Sequence, residues 1–342
     1  MNGQRNQRRW PKRLFGIFAR IVLIYILLSL VLAVPFSNLL FHPPAKRRAV
    51  DSLTQPGAEK IPPLWKDQYG VNVDALSITS TAGPKPVELS AWWVYRDSTR
   101  GKPTVAFLAG NAGLNPAAFA DEIRLSCDMG FNCLLMDWRG YGASAGELLT
   151  YGWYDRGDFD AVVDTIVERY DIDTMQIGIW GYSMGASNVV AIAALRPEIK
   201  ALLLYAPWSD PLPMAVHYVW RSYSVPKILL YFPVWTAIKI GTWRNAGGVL
   251  DPAEEAKKVY CPVMVVHGDI DDIVPPELTR RLFQSLSGPK ELVVIPGAQH
   301  NDLFDVIGQE RYLKQLESFF VKHLKPEEII QEKLIEVIPE HK

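Results

Sequence analysis

Six short apolar runs, at residues 105–108, 133–136, 176–180, 201–205, 263–266 and 292–295, constrain this chain more than any other feature. They do not alternate polar with apolar positions, so both faces of each must be covered, as in strands of a parallel sheet. Between them lie helix-length amphipathic segments near residues 117–129, 155–170, 186–195, 276–286 and 309–323. Strand alternating with helix implies the α/β class: a mostly parallel central sheet with helices on both faces. Two alternating segments come first, at 71–79 and 87–95, as expected of an antiparallel hairpin at a sheet edge. With 342 residues, 49% of them hydrophobic, the chain can bury a sizeable core.

One stretch breaks the alternation. Residues 208–249 are far too many for a simple crossover, and they hold Trp208, Tyr218, Trp220, Tyr223, Tyr231, Phe232, Trp235 and Trp243. They read as a helical lid inserted over the strand ends, with most of these aromatics expected to pack inside the insertion. The body then spans 71–324, and 325–342 is a charged, amphipathic tail.

The N-terminus reads as a membrane anchor. Arg5, Arg8, Arg9, Lys12 and Arg13 precede an apolar stretch over residues 14–34, broken only by Arg20 and Ser29. About 20 apolar residues suffice to cross a hydrocarbon core, and Arg20 is near enough to the start to snorkel. A cleaved secretory signal is the rival reading, but residues 33–35 lack a small-x-small cleavage site. Residues 1–35 are thus expected to form a basic N-terminus and signal anchor, and the proline-rich 36–70 a linker. Six basic residues at the front outnumber Lys46, Arg47 and Arg48 behind, which favours a cytoplasmic N-terminus and a body across the membrane.

Composition closes other routes. The net charge of -1 leaves no basic excess for nucleic acid. Three cysteines, Cys127, Cys133 and Cys261, make neither a disulfide framework nor a CxxC zinc pair; the first two could be bridged if the fold brings them together, but read better as buried free thiols. No phosphate loop, flavin or metal pattern stands out, so no cofactor is expected.

The chemistry concentrates around Gly181-Tyr182-Ser183-Met184-Gly185, between the run 176–180 and the helical segment 186–195. GxSxG alone is a weak signal; between a strand and a helix it has the context of a nucleophile elbow. A serine hydroxyl needs a base, and His300 follows the last apolar run, where a loop can return it to the elbow. His42, His217, His267, His323 and His341 are less well placed. The imidazole needs a carboxylate in turn, and Asp269, Asp271 and Asp272 in one loop all qualify. An oxyanion would need backbone donors: Met184 N–H directly after the serine, and Asn111 N–H, with Ala112 next, from the glycine-rich loop 108–113.

These pieces resemble the α/β-hydrolase superfamily over roughly residues 71–323. Within it the chain looks most like the membrane-anchored α/β-hydrolase domain-containing proteins of the serine aminopeptidase/lysophospholipase-like branch. The likeness rests on Gly110-Asn111-Ala112-Gly113, the run Asp137 to Ser144, the GYSMG elbow, His267-Gly268 through Asp271 to Val274-Pro275, and His300-Asn301-Asp302. In that family the supporting carboxylate is the third residue after the HG glycine, which selects Asp271. One departure is Ala109-Gly110 where the family's loop usually begins His-Gly. The resemblance implies a serine hydrolase acting on an acyl ester or thioester, small or lipid, through Ser183, His300 and Asp271. A peptidase or amidase with the same three residues is the nearest alternative, and a non-catalytic membrane scaffold the alternative from another class.

Overall fold

The structure is a computed structural model that describes residues 9–42, 57–97, 99–110, 116–170, 172, 176–245 and 247–325, with side chains from residue 14 onward. Arg5, Arg8, the cluster Lys46 to Arg48, His341 and the tail beyond Lys325 fall outside the described residues.

The six apolar runs all become strands, and the leading hairpin joins them. In chain order the strands are β1 (Asn72–Ser80), β2 (Val87–Tyr95), β3 (Thr104–Leu108), β4 (Asn132–Met136), β5 (Ile177–Tyr182), β6 (Ile199–Tyr205), β7 (Val263–Gly268) and β8 (Lys290–Ile295). They form one eight-stranded sheet in the order β1-β2-β4-β3-β5-β6-β7-β8. β1 with β2 and β2 with β4 pair antiparallel, and every later pairing is parallel. This is an α/β fold with the antiparallel pair at one edge.

Burial on both faces explains the unbroken runs. Along β3, Ala106 and Leu108 enter one apolar layer, while Val105 and Phe107 enter the other. The first layer is filled by α4 (Asp155–Tyr170) and α5 (Met184–Leu195), through residues such as Phe159, Val162, Val189 and Val190. The second is filled by α2 (Ile61–Tyr69), α3 (Ala120–Asp128) and α11 (Gln309–Leu324), through Trp65, Ile123, Leu316 and Phe320. Gly178 on β5 leaves the room that the Phe320 ring uses: a Cβ there would stand 2.7 Å from it. Cys127 and Cys133 are free, buried thiols with sulfurs 4.0 Å apart, and burial pushes the Cys133 pKa well up.

The N-terminal region departs from the expected division into anchor and linker. Helix α1 (Arg9–Phe41) continues through Pro35, and its apolar part, Leu14–Phe41, is long enough to cross a membrane. Residues 61–69 are also helical rather than linker, because Pro62 and Pro63 occupy the first turn of α2, where the missing N–H has no intrahelical partner to lose.

The long insertion is helical, built from α6 (Pro211–Tyr223) and α7 (Lys227–Arg244). Asp210 caps α6 by accepting from Leu212 N at 2.9 Å, and Ser224 at φ 56° ends it. Short helices α8 (Pro252–Ala256), α9 (Pro276–Ser285) and α10 (Leu303–Ile307) complete the α-helices among the described residues. The expectation that the lid aromatics pack internally fails for most of them. Trp208 is buried, but Trp220, Tyr223, Tyr231, Trp235 and Trp243 are exposed. The reason is that α7 packs against α1, sharing a small core of Ala33, Leu40 and Phe41 with Val216, Val219, Leu230, Val234 and Ala237. A layer of helices only this thick leaves one face of α6 and α7 without a partner among the described residues.

Phe320 supplies a test of the packing. Phe320→Ala is expected to cost about 3–5 kcal/mol of unfolding free energy, the range for emptying a buried phenylalanine site. Urea unfolding of the full chain in detergent checks it, and a loss under about 1 kcal/mol would mean that the two-layer packing is wrong there.

Candidate active site

β5 ends at Tyr182, and α5 begins at Met184, so one residue must reverse the chain between them. That residue is Ser183, at φ 54° and ψ -121°, a conformation that L-residues adopt at a cost of about 1–3 kcal/mol. Its neighbours enforce it. A Cβ on Gly181 would stand 2.8 Å from the Ala186 backbone, and one on Gly185 only 2.2 Å from Ala109 O. Ser183 N donates to Tyr205 O at 2.8 Å, tying the turn to β6. The hydroxyl is thereby held at the N-terminus of α5, and Ser183 lines a cavity of about 630 Å³.

The turns that follow β7 and β8 bring the other two groups to it. His300 Nε2 is 3.0 Å from Ser183 Oγ, and His300 Nδ1 is 2.7 Å from Asp271 Oδ2. The remaining Asp271 oxygen, Oδ1, accepts from Ile273 N at 2.9 Å and Val274 N at 2.8 Å. All three residues are buried, in a site where hydrogen bonds of this kind are strengthened by the low dielectric. Alcohol, imidazole and carboxylate stand in one relay.

The neighbouring aspartates do other things. Asp269 accepts from Gly297 N at 2.7 Å, joining the two turns, and Asp272 is exposed and ion-paired to Arg221 at 2.9 Å. Among the remaining histidines, His217 bonds Asp272 O, and His323 lies against Phe319 on α11. His267 is buried between Val274 O and Thr279 Oγ1, and desolvation lowers its pKa. None of these reaches Ser183.

Met184 is the first residue of α5, where the N–H has no intrahelical acceptor. Asn111 and Ala112 lie outside the described residues. The loop that leads to them does pass the elbow: a Cβ on Gly110 would be 3.0 Å from Ser183 Cβ. Trp138 Nε1 fixes the start of that loop by donating to Ala109 O at 2.8 Å.

Tyr182, Trp138 and the end of α1 escaped the sequence. Tyr182 stacks on His300, with ring centres 5.1 Å apart, and donates its hydroxyl to His300 O at 2.7 Å. Burial, with the charges of Asp271 and Asp302 behind it, raises the Tyr182 pKa and keeps it a donor. As the variable residue of a GxSxG pattern it carried no signal of its own. Trp138 was inside a quoted motif but had no visible partner. Leu39, Leu40 and Phe41, from the end of α1, line the cavity with Tyr151 and Trp208, and residues read as linker gave no hint of that.

An eight-stranded, mostly parallel sheet with a serine on a strained strand-to-helix turn defines an α/β-hydrolase, and the comparisons agree. A model of the prolyl oligopeptidase family matches residues 117–327, and the chain belongs to that family. The uncharacterized protein Rv2307c of Mycobacterium tuberculosis is 31% identical over 219 residues, 63% of this chain and 69% of its own. Human alpha/beta hydrolase domain-containing protein 17B is 27% identical over 251 residues, covering 73% and 77%. Among solved structures, an esterase of Pyrococcus furiosus superposes with a TM-score of 0.58 at 20% identity, covering 76% of this chain and 95% of that one. Family and fold make the chain a hydrolase of the serine type.

The contrast between the aspartates can be tested. With a chromogenic ester, Asp271→Asn is expected to lower kcat about ten-thousandfold, since an amide favours the wrong imidazole tautomer. Asp272→Asn should leave kcat within about tenfold, the loss of an exposed ion pair alone. Equal effects of the two would remove Asp271 from its position behind His300.

Proposed function

We propose that the chain cleaves an acyl ester or thioester through an acyl-enzyme, with Ser183 as nucleophile, His300 as base and Asp271 behind the base. The observation that carries this reading is the unbroken relay, 3.0 Å from serine to imidazole and 2.7 Å from imidazole to carboxylate. Ser183 Oγ attacks the carbonyl carbon as His300 Nε2 takes its proton. Asp271 stabilises the imidazolium and holds Nδ1–H toward itself, a role its two backbone donors leave it free to perform on the other oxygen. The tetrahedral oxyanion is met by Met184 N–H and by a second amide from the loop after β3, for which Asn111 is the candidate. His300 then protonates the leaving group, and a water, deprotonated by the same imidazole, releases the acid and restores Ser183. The reaction requires no cofactor.

A peptidase or amidase reading has one observation in its favour, the family match itself. Mechanistically the two differ only in the leaving group. In the cell, the apolar helix α1 would hold the enzyme at a membrane, with its N-terminus cytoplasmic and the hydrolase domain on the opposite side, following the basic residues before the span.

Full-length protein in detergent should react with a fluorophosphonate probe, and Ser183→Ala should abolish the reaction. Labelling undiminished in that variant would remove Ser183 from the role. A panel of p-nitrophenyl esters and aminoacyl p-nitroanilides decides between the readings: higher kcat/KM on the esters is expected, and preference for the anilides would favour a peptidase.

A further inference from the structure

Helix α1 is too tightly joined to the lid to act as a mere tether. Tyr25 Oη donates to Leu229 O at 3.2 Å, and its ring lies 6.1 Å from Phe232. Sixteen residues further on, the Phe41 ring covers Gly241, where a Cβ would stand 2.3 Å from it, and Arg244 reaches Asn38 at 3.3 Å. The two helices therefore run side by side in the same direction, and Leu149 N, donating to Phe41 O at 2.8 Å, ties the end of α1 to the body.

Length then ties the depth of α7 to that of α1 in any bilayer that α1 crosses. A hydrocarbon core is about 30 Å thick and takes about 20 residues of helix. From Leu14, where the apolar part begins, to Tyr25, where α7 begins to cover it, the helix rises only about 17 Å. The exposed apolar surface of α1 continues past that point to Val34, alongside the first turns of α7. A bilayer that covers Leu14 through Val34 must also cover those turns.

The surface of the lid matches that depth. Ile228 is 79% exposed, and Leu229, Tyr231 and Trp235 are each more than 40% exposed. At the turn between the helices Trp220, Tyr223 and Val225 are exposed too. Apolar patches of this kind mark a membrane or protein contact. The nearby cations are engaged within the protein: Lys227 Nζ is 3.0 Å from His217 Nδ1 and lies over Trp220, both on α6, and Arg221 pairs with Asp272 of the body. Lys239 and Arg244 sit at the other end of α7, level with the end of the apolar span, where long basic side chains reach headgroups. Met214 and Tyr218 of α6, Ile238 of α7 and Leu40 of α1 line the cavity above Ser183, so the walls of that cavity are the same helices.

We propose that α1 and the α6–α7 hairpin enter the bilayer together, so that the cavity opens into the leaflet and takes an acyl chain that lies there. The substrate half of this inference rests on the serine-hydrolase reading; the immersion does not.

The test uses the full chain reconstituted in phosphatidylcholine vesicles. A nitroxide at Ile228→Cys, in a Cys261→Ser background, is expected to be relaxed by oxygen and shielded from a water-soluble nickel chelate. The same label at Tyr260→Cys, exposed before β7, should show the reverse. Position 228 behaving like 260 would overturn the immersion and leave the face for a protein partner. Independently, Ile228→Asp is expected to lower kcat/KM on a long-chain p-nitrophenyl ester carried in the vesicles by about tenfold or more, because a carboxylate resists entering hydrocarbon. Its activity on a soluble p-nitrophenyl butyrate should not change, which also shows that the variant is folded. Equal loss on both esters, or on neither, would overturn entry from the leaflet. Wild-type protein inactive on both would overturn the hydrolase reading and the acyl-chain half with it, while the nitroxide depth still decides the immersion.

Discussion

The backbone of Ser183 is the constraint on which the rest of the site depends. A serine at φ 54° persists only where the surrounding structure over-determines it, and here three elements do so. Gly181 lets α5 press on β5, Gly185 lets it press on the end of β3, and the Ser183 amide is held by the carbonyl end of β6. Replace either glycine with a residue that carries a Cβ and the backbones of helix and strand must shift apart. The hydroxyl would then lose its fixed distance to an imidazole that is itself pinned on another loop.

That imidazole is fixed as firmly as the serine. Asp269 staples the turn after β7 to the turn after β8, so that the loops carrying Asp271 and His300 are tied to each other. Tyr182 then joins these loops to the elbow, because it neighbours Ser183 in the chain and bonds the carbonyl of His300. The relay is closed by backbone groups at every corner, and no part of it depends on a long, rotatable side chain. Such pre-organisation fixes the geometry of the three groups without any rearrangement of their surroundings.

How much of this could be read from the amino acids follows from what each feature needs. The strands of the sheet were legible because burial on two faces leaves a run with no alternation, and the elbow because two glycines flank a serine between strand and helix. His300 was legible from its place after the last strand. Asp271 was not separable from Asp269 and Asp272 on residue type, since the difference lies in which amides each one meets; the family pattern alone pointed to it. Tyr182 and Trp138 act through backbone carbonyls far away in the chain, and such partners leave no mark on local sequence. The N-terminal boundary was missed for a different reason: Pro35, Pro62 and Pro63 read as breaks, yet one is accommodated in the interior of α1 and two start a helix. The exposure of the lid aromatics depends on α1 lying on α7, a pairing of segments some 200 positions apart that periodicity cannot disclose.

The end of α1 forms part of the wall around Ser183, through Leu39, Leu40 and Phe41. The helix that is long and apolar enough to cross a membrane is therefore also part of the cavity wall. A version trimmed after Phe41 to obtain a freely soluble enzyme would lose more than its location, because the trimmed protein would present a wider vestibule and a bare strip of α7 to water. Its preferences would describe the excised fragment, and the natural catalyst is best characterised with its first helix attached.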